Sequence, residues 1–207
     1  MKYKNLIYDF DGTLSDTYPC FANAFVDTCK SFNVECGYKQ AYDLLKISVG
    51  NAIKSFDFGC DYRKVSNVFH EFHDIRAVVD QKPFPEAEPL LRFVKEHGGR
   101  NFIYSHSGII VMQLLNIWGW NELFDGVVDA RTPLPRKPAP DGVNLICESY
   151  GLEKKDTIIV GDRDIDTDAG KNAGIDGCLF DPDGYYTSID VTYRVNNLAD
   201  IEKILIP

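Results

Sequence analysis

The chain has 207 residues, of which 44% are hydrophobic and 26% charged, enough to bury the core of one large domain or of a domain carrying an insertion. A net charge of −9 argues against a nucleic-acid partner or an anionic membrane surface. A small anionic substrate stays admissible, because salt screens the remote field within about 10 Å and local cations or a metal can override it. No apolar run reaches the roughly 20 residues of a membrane helix. The six cysteines, Cys20, Cys29, Cys36, Cys60, Cys147 and Cys178, include no Cys-x-x-Cys and follow no secretory signal. Reduced thiols, a cytoplasmic location and no zinc site are expected. Nothing in the residues speaks to oligomeric state.

A strand is predicted from Tyr3, ending in Leu6-Ile7-Tyr8-Asp9-Phe10-Asp11-Gly12-Thr13-Leu14. Alternation brings Asp9 and Asp11 together at its carboxyl end, where open α/β sheets bind ligands. Two carboxylates this close repel, which implies a bound metal or a proton-transfer partner. A solvated strand-end turn is the competing reading of these nine residues, since Asp and Gly commonly terminate strands. Ser15-Asp16-Thr17-Tyr18-Pro19 supplies helix-start residues, and from Cys20 to about Val79 apolar positions recur at helical spacing. Phe21, Ala24, Phe25 and Thr28-Cys29 share one face, as do Val65, Val68, Phe69 and Phe72, with breaks expected at Gly37, Gly50 and Gly59. Two prolines in Pro83-Phe84-Pro85 force an extended connection, read as a hinge.

Beyond the hinge helices and strands alternate. Helices are predicted over Pro89 to His97, Ile109 to Trp118, Pro140 to Tyr150, Asp166 to Ala173 and Leu198 to Leu205. Strands are predicted over Asn101 to Tyr104, Gly126 to Val128, Thr157 to Val160 and Gly177 to Phe180. Short, continuously apolar strands separated by helices indicate a Rossmann-like parallel sheet of at least five strands with helices on both faces. The expected division is a core of residues 1–15 and 84–207 with an inserted α-helical cap at 16–83. Gly184 to Thr192 reads as loop or edge hairpin.

In a parallel sheet the residues after each strand converge on one edge. That edge would collect Asp9 and Asp11, then Ser105, then Arg136 and Lys137, then Gly161-Asp162 with Asp164 and Asp166. Bringing Asp9, Asp11 and Asp162 together without a hard divalent cation would be prohibitive, and an all-oxygen set with room for water and a phosphate oxygen suits magnesium. Phosphoryl transfer is the chemistry this predicts.

Asp9-Phe10-Asp11-Gly12-Thr13-Leu14, Ser105 after its strand, Lys137 in Arg-Lys-Pro-Ala-Pro-Asp, and Gly161-Asp162-Arg163-Asp164-Ile165-Asp166 resemble, in order, the motifs of the haloacid dehalogenase superfamily. The helical insertion, with Asp16 at its start, resembles the small cap of the phosphoglycolate-phosphatase-like branch. The resemblance implies a magnesium-dependent phosphatase acting on a small phosphorylated metabolite: phosphoglycolate, pyrophosphate, a sugar phosphate or a nucleotide. It implies Asp9 as nucleophile and Asp11 as the acid and base that serves the leaving alcohol and the water; carbon–halogen-cleaving relatives lack the second aspartate. It also implies magnesium on the Asp9 carboxylate, the Asp11 carbonyl and Asp162, with Asp166 a ligand through water or a partner of Lys137. Ser105 and Lys137 would meet the phosphoryl oxygens, and Gly12, Thr13 and His106 complete the expected substrate contacts.

Two positions depart from the pattern: Arg163 stands where small hydroxylated residues are usual, and His106 where an amide often sits. Arg163 reads as a solvated arginine paired with an acidic neighbour, with a substrate contact as the alternative. Ser105, His106 and Asp9 make no protease triad, because adjacent extended residues point to opposite faces and no Gly-x-Ser-x-Gly is present. His70 and His73 read as a helix-surface pair rather than metal ligands, and Lys54 and Arg76 as minor candidates for reading the leaving group. Trp118, Trp120, Phe56, Phe58, Phe69 and Phe72 read as packing residues. A phosphomutase is the nearest rival enzyme. A non-catalytic magnesium-binding regulatory protein would not need Asp9, Asp11, Ser105, Lys137 and Asp162 together, and a phospho-receiver domain has no room for the insertion.

Overall fold

The computed structural model describes residues 1–186 and 188–206. In chain order the elements are β1 (Asn5–Tyr8), β2 (Ser15–Asp16), α1 (Tyr18–Ser31), α2 (Tyr38–Ile47), α3 (Val49–Lys54), α4 (Tyr62–Asp80), β3 (Lys82–Pro83), α5 (Ala87–Glu96) and β4 (Arg100–Tyr104). They continue with α6 (Ile110–Trp118), β5 (Gly126–Val128), α7 (Asp141–Tyr150), β6 (Thr157–Gly161), α8 (Asp164–Ala173), β7 (Asp176–Phe180), β8 (Tyr193–Val195) and α9 (Ile201–Leu205). Contacts divide the chain into two units, Met1–Ser15 with Pro83–Pro207, and Asp16–Lys82.

The first unit is a six-stranded sheet in the order β5-β4-β1-β6-β7-β8, every pair parallel. All four residues of β1 and all five of β6 are buried, as strands covered on both faces must be. One face packs Ile7, Phe102, Tyr104 and Ile159 against Val143, Ile146 and Cys147 of α7 and Ala169 and Ala173 of α8. On the other, the Asn101 side-chain amide donates to Leu91 O of α5 at 2.9 Å and its oxygen accepts from the Tyr8 hydroxyl at 3.3 Å. The chain winds from β1 outward through β4 to β5, then returns to lay β6 on the other flank of β1. That reversal opens a crevice beyond the carboxyl ends of β1 and β6, where Tyr8 pairs with Val160.

The sixth strand is not legible in the sequence: Tyr193-Arg194-Val195 is short and half polar, as an edge strand should be. It runs parallel to β7, so it closes no hairpin with it. Within the unassigned Gly184 to Thr192, Thr187 lies outside the described residues and the remainder carries no strand. Helix α8 starts two residues before its predicted position, so Asp166 stands in its first turn, where carboxylates favour the helix dipole.

The second unit is helical. Phe25 and Phe69 are fully buried in a cluster with Ala24, Cys29, Leu45, Ile53 and Val65, and Phe21 meets the Phe69 ring edge-on at 5.8 Å. Gly37 and Gly59 fall between helices as expected, but Gly50 lies inside α3. The break falls at Ser48, which ends α2 and caps α3 by accepting from Asn51 N at 2.9 Å. A hydroxyl at that position satisfies a free helix-start N–H, which a glycine cannot do.

Candidate active site

Asp9 follows β1 directly, and its backbone N–H donates to Val160 O at 2.8 Å, continuing the ladder one residue beyond the strand. Gly12 then takes φ = 79°, a left-handed turn that costs a glycine little, and its N–H donates to Ser15 O at 2.8 Å. This turn folds the segment back at the crevice.

Opposite stands Lys137, from the loop between β5 and α7, with its side chain fully buried. The ammonium lies 2.7 Å from Asp9 Oδ1 and 2.6 Å from Asp166 Oδ1, and donates to Tyr104 O at 2.9 Å. Asp9, Asp162 and Asp166 are all buried, and one carboxylate oxygen of each lies within 4.8 Å of the others. Burial pushes the Asp9 carboxyl up to about 8; Lys137 opposes the rise, and Asp166, Asp162 and Asp11 add to it. Burial also works against the charge on Lys137, but Asp166 and Asp9 outweigh it and hold the ammonium above the ordinary lysine value.

Three buried carboxylates against one buried ammonium leave negative charge uncompensated in a place where water cannot offset it. A cation with hard, oxygen-seeking chemistry fits that donor set. Gly161 is what lets Asp166 approach: a Cβ on residue 161 would lie 2.2 Å from the Asp166 Cβ. Asp166 Oδ2 in turn accepts from Arg163 N at 3.1 Å, closing the first turn of α8.

Asp11 is half-buried, its Oδ2 accepting from the Ser107 hydroxyl at 2.5 Å. Ser105 is buried, its N–H donating to Val128 O and its Oγ accepting from Ser107 N, both at 2.9 Å, which leaves its own proton to donate. The crevice therefore gathers Asp9, Asp11, Ser105, Lys137, Asp162 and Asp166. Thr13 is fully buried, and its hydroxyl donates to Asp162 Oδ1 at 3.3 Å. At His106, expected among the substrate contacts, the ring Nε2 accepts from Lys137 N at 2.9 Å. Arg163 is half-buried, and Arg136 donates to His106 O at 3.1 Å.

Two residues near the site were missed by sequence reasoning. Ser107 is one hydroxyl among many until β4 and the turn after Asp9 come together. Tyr186 has its phenol pushed up by burial and by the nearby Asp164 and Asp162 carboxylates. Its loop is pinned by buried Asp181, which accepts from Tyr185 N at 2.8 Å and Tyr186 N at 3.0 Å. No periodicity could have signalled that contact.

In the helical unit, His70 is exposed but His73 is buried, which corrects the surface-pair reading. His73 lies between Phe21 and Phe69, with ring centroids 4.6 Å and 6.2 Å away, because it falls on the same face of α4 as Phe69. Arg76 Nε donates to Asp27 Oδ2 at 3.0 Å, tying α4 to α1, and Lys54 is exposed at the end of α3. Trp118 stacks on Phe10 at 5.7 Å and Trp120 is buried, so both are packing residues.

Fold and site together define a class: a parallel α/β enzyme with a carboxylate and lysine centre at the sheet's switch point. Residues 6–180 match the Haloacid dehalogenase-like hydrolase family. The chain belongs to that family and is a hydrolase. It is 29% identical to the phosphoglycolate phosphatase of Aquifex aeolicus over 180 residues, 82% of this chain and 80% of that one. It is 24% identical to the pyrophosphatase PpaX of Halalkalibacterium halodurans over 217 residues, 99% of this chain and 98% of that one. A crystal structure from Clostridium difficile shares the fold with a TM-score of 0.84 at 18% identity, each chain covered completely. The named relatives are thus phosphatases, and enzymes of this family generally use a metal ion. Among the described residues no helix is long and apolar enough to cross a membrane.

Proposed function

We propose that the protein is a magnesium-dependent phosphatase that releases phosphate from a small phosphorylated metabolite. The observation that carries this reading is the buried Asp9, Asp162 and Asp166 group with the buried Lys137 ammonium against Asp9 and Asp166. Asp9, Asp162 and Asp166 would hold the cation through carboxylate oxygens, with the Asp11 carbonyl as a further ligand. When bound, the cation neutralises charge on the phosphoryl group being transferred.

In this reading Asp9 attacks phosphorus and becomes an aspartyl-phosphate as the alcohol leaves. Asp11 delivers a proton to the leaving oxygen and then takes one from the water that hydrolyses the intermediate, and the Ser107 hydroxyl keeps its carboxylate aimed. Ser105 donates to a phosphoryl oxygen and Lys137 offsets its charge. Residues 16–83 occupy the position of the family's cap along the chain, and we assign choice of leaving group to them.

The test is a panel of phosphoglycolate, pyrophosphate, sugar phosphates and nucleotides, assayed for free phosphate with and without Mg²⁺, beside Asp9→Asn and Asp11→Asn. Metal-dependent release by the parent and its loss in both variants is expected. Undiminished turnover in either variant overturns the roles, and conversion of a sugar phosphate to its isomer without phosphate release makes the enzyme a mutase.

A further inference from the structure

The loop that delivers Lys137 has no regular structure of its own. Between β5 and α7 it is tied to other elements: the Tyr104 hydroxyl donates to Pro135 O at 3.4 Å, Asn172 Nδ2 to Pro138 O at 2.9 Å, and the loop's own Arg136 to His106 O at 3.1 Å. The backbone N–H of Lys137 itself is met by the His106 ring, whose Nε2 lies 2.9 Å away across a sequence separation of 31 residues. A lysine side chain is long and flexible, so where its ammonium rests depends on where its backbone is fixed.

We propose that His106 is a positioning residue, its Nε2 accepting the Lys137 backbone N–H and thereby setting the place from which the Lys137 ammonium reaches Asp9. The inference rests on the phosphatase reading and adds a residue that need not touch substrate. Because a backbone N–H can only donate, Nε2 must be the unprotonated nitrogen, which puts the ring proton on Nδ1. His106 is half-buried and stands edge-on to Tyr104 at 6.2 Å, so packing also restrains the ring. Burial and the cations Lys137, Arg136 and Arg163 push the imidazole down to about 3, against a weaker opposing pull from Asp166, so the neutral acceptor persists through the physiological range. An asparagine here would be too short to reach Lys137 N from the same backbone, whereas a glutamine places an amide oxygen near the position of Nε2.

Two measurements on the full chain test this. Nitrogen-resolved imidazole spectra should show His106 as the Nδ1–H tautomer, and the Lys137 amide resonance should shift in His106→Leu; an Nε2–H tautomer or an unmoved amide overturns the proposal. With p-nitrophenyl phosphate and Mg²⁺, His106→Leu should lower kcat about 10- to 100-fold with KM little changed, as for a misplaced active-site group. His106→Gln should restore most of the loss, an outcome that repacking or partial unfolding would not produce. Full kcat in His106→Leu, or a glutamine variant no better than leucine, overturns the proposal. A parent enzyme that released no phosphate would defeat the phosphatase reading instead, with the tautomer and amide shift still deciding whether His106 holds Lys137.

Discussion

The buried acidic group makes a prediction about stability that runs against intuition: with metal removed, Asp9→Asn should stabilise the protein at pH 8. Burial, helped by Asp166, Asp162 and Asp11, raises the Asp9 carboxyl to about 8 from an unperturbed 3.8. Between those values the folded chain holds a proton that the unfolded chain has released. Stability therefore falls as pH rises through this window, and the full deficit is present only above the folded value. At about 1.4 kcal/mol per unit, a rise of some four units sets a ceiling of roughly 6 kcal/mol. Local relaxation and water entering the metal-free site should bring the gap to about 2–3 kcal/mol. The amide stays beside Lys137, which keeps Asp166 and Tyr104 O as partners. Urea unfolding in EDTA at intervals from pH 5 to pH 8 reads the effect: the variant should exceed the parent at pH 8, and the two should converge toward pH 5. Saturating Mg²⁺ should stabilise the parent more than the variant, since only the parent keeps all three carboxylates. A variant less stable than the parent at pH 8 in EDTA, or a gap independent of pH, refutes the reasoning.

Other outcomes follow from single contacts. Gly161→Ala puts a methyl group 2.2 Å from the Asp166 Cβ, so it should cost about 1–3 kcal/mol in urea unfolding and weaken Mg²⁺ binding by calorimetry. Unchanged metal affinity would mean that Asp166 does not contribute to the ion's site. Phe69→Ala empties the centre of the helical unit, where Phe21, Phe25 and His73 converge on one ring, and should destabilise that unit by about 3–5 kcal/mol in chemical unfolding. A loss below about 1 kcal/mol would place the cluster's support elsewhere.

Much of this protein is readable one residue at a time. Apolar runs such as Ile158-Ile159-Val160 announce strands covered on both faces, and a carboxylate or hydroxyl directly after such a run announces a site, because parallel strands share one carboxyl edge. Asp9, Asp11, Ser105 and Asp162 are found by that rule and Lys137 by the loop that follows the strand Gly126–Val128, and the fold brings these residues to the crevice. The rule is local, so it failed wherever a partner is chosen in three dimensions. Tyr193-Arg194-Val195 becomes a strand only because β7 leaves an edge for it. His73 is a core residue only because α1 and α4 bring Phe21 and Phe69 to its ring. The use of His106 Nε2 by Lys137 N, and of the Ser107 hydroxyl by Asp11, joins residues 31 and 96 positions apart. Sequence order determines which side chains arrive at the rim, because strand ends fix them; which of them grip one another is decided by packing, because distances between separate loops are written nowhere along the chain.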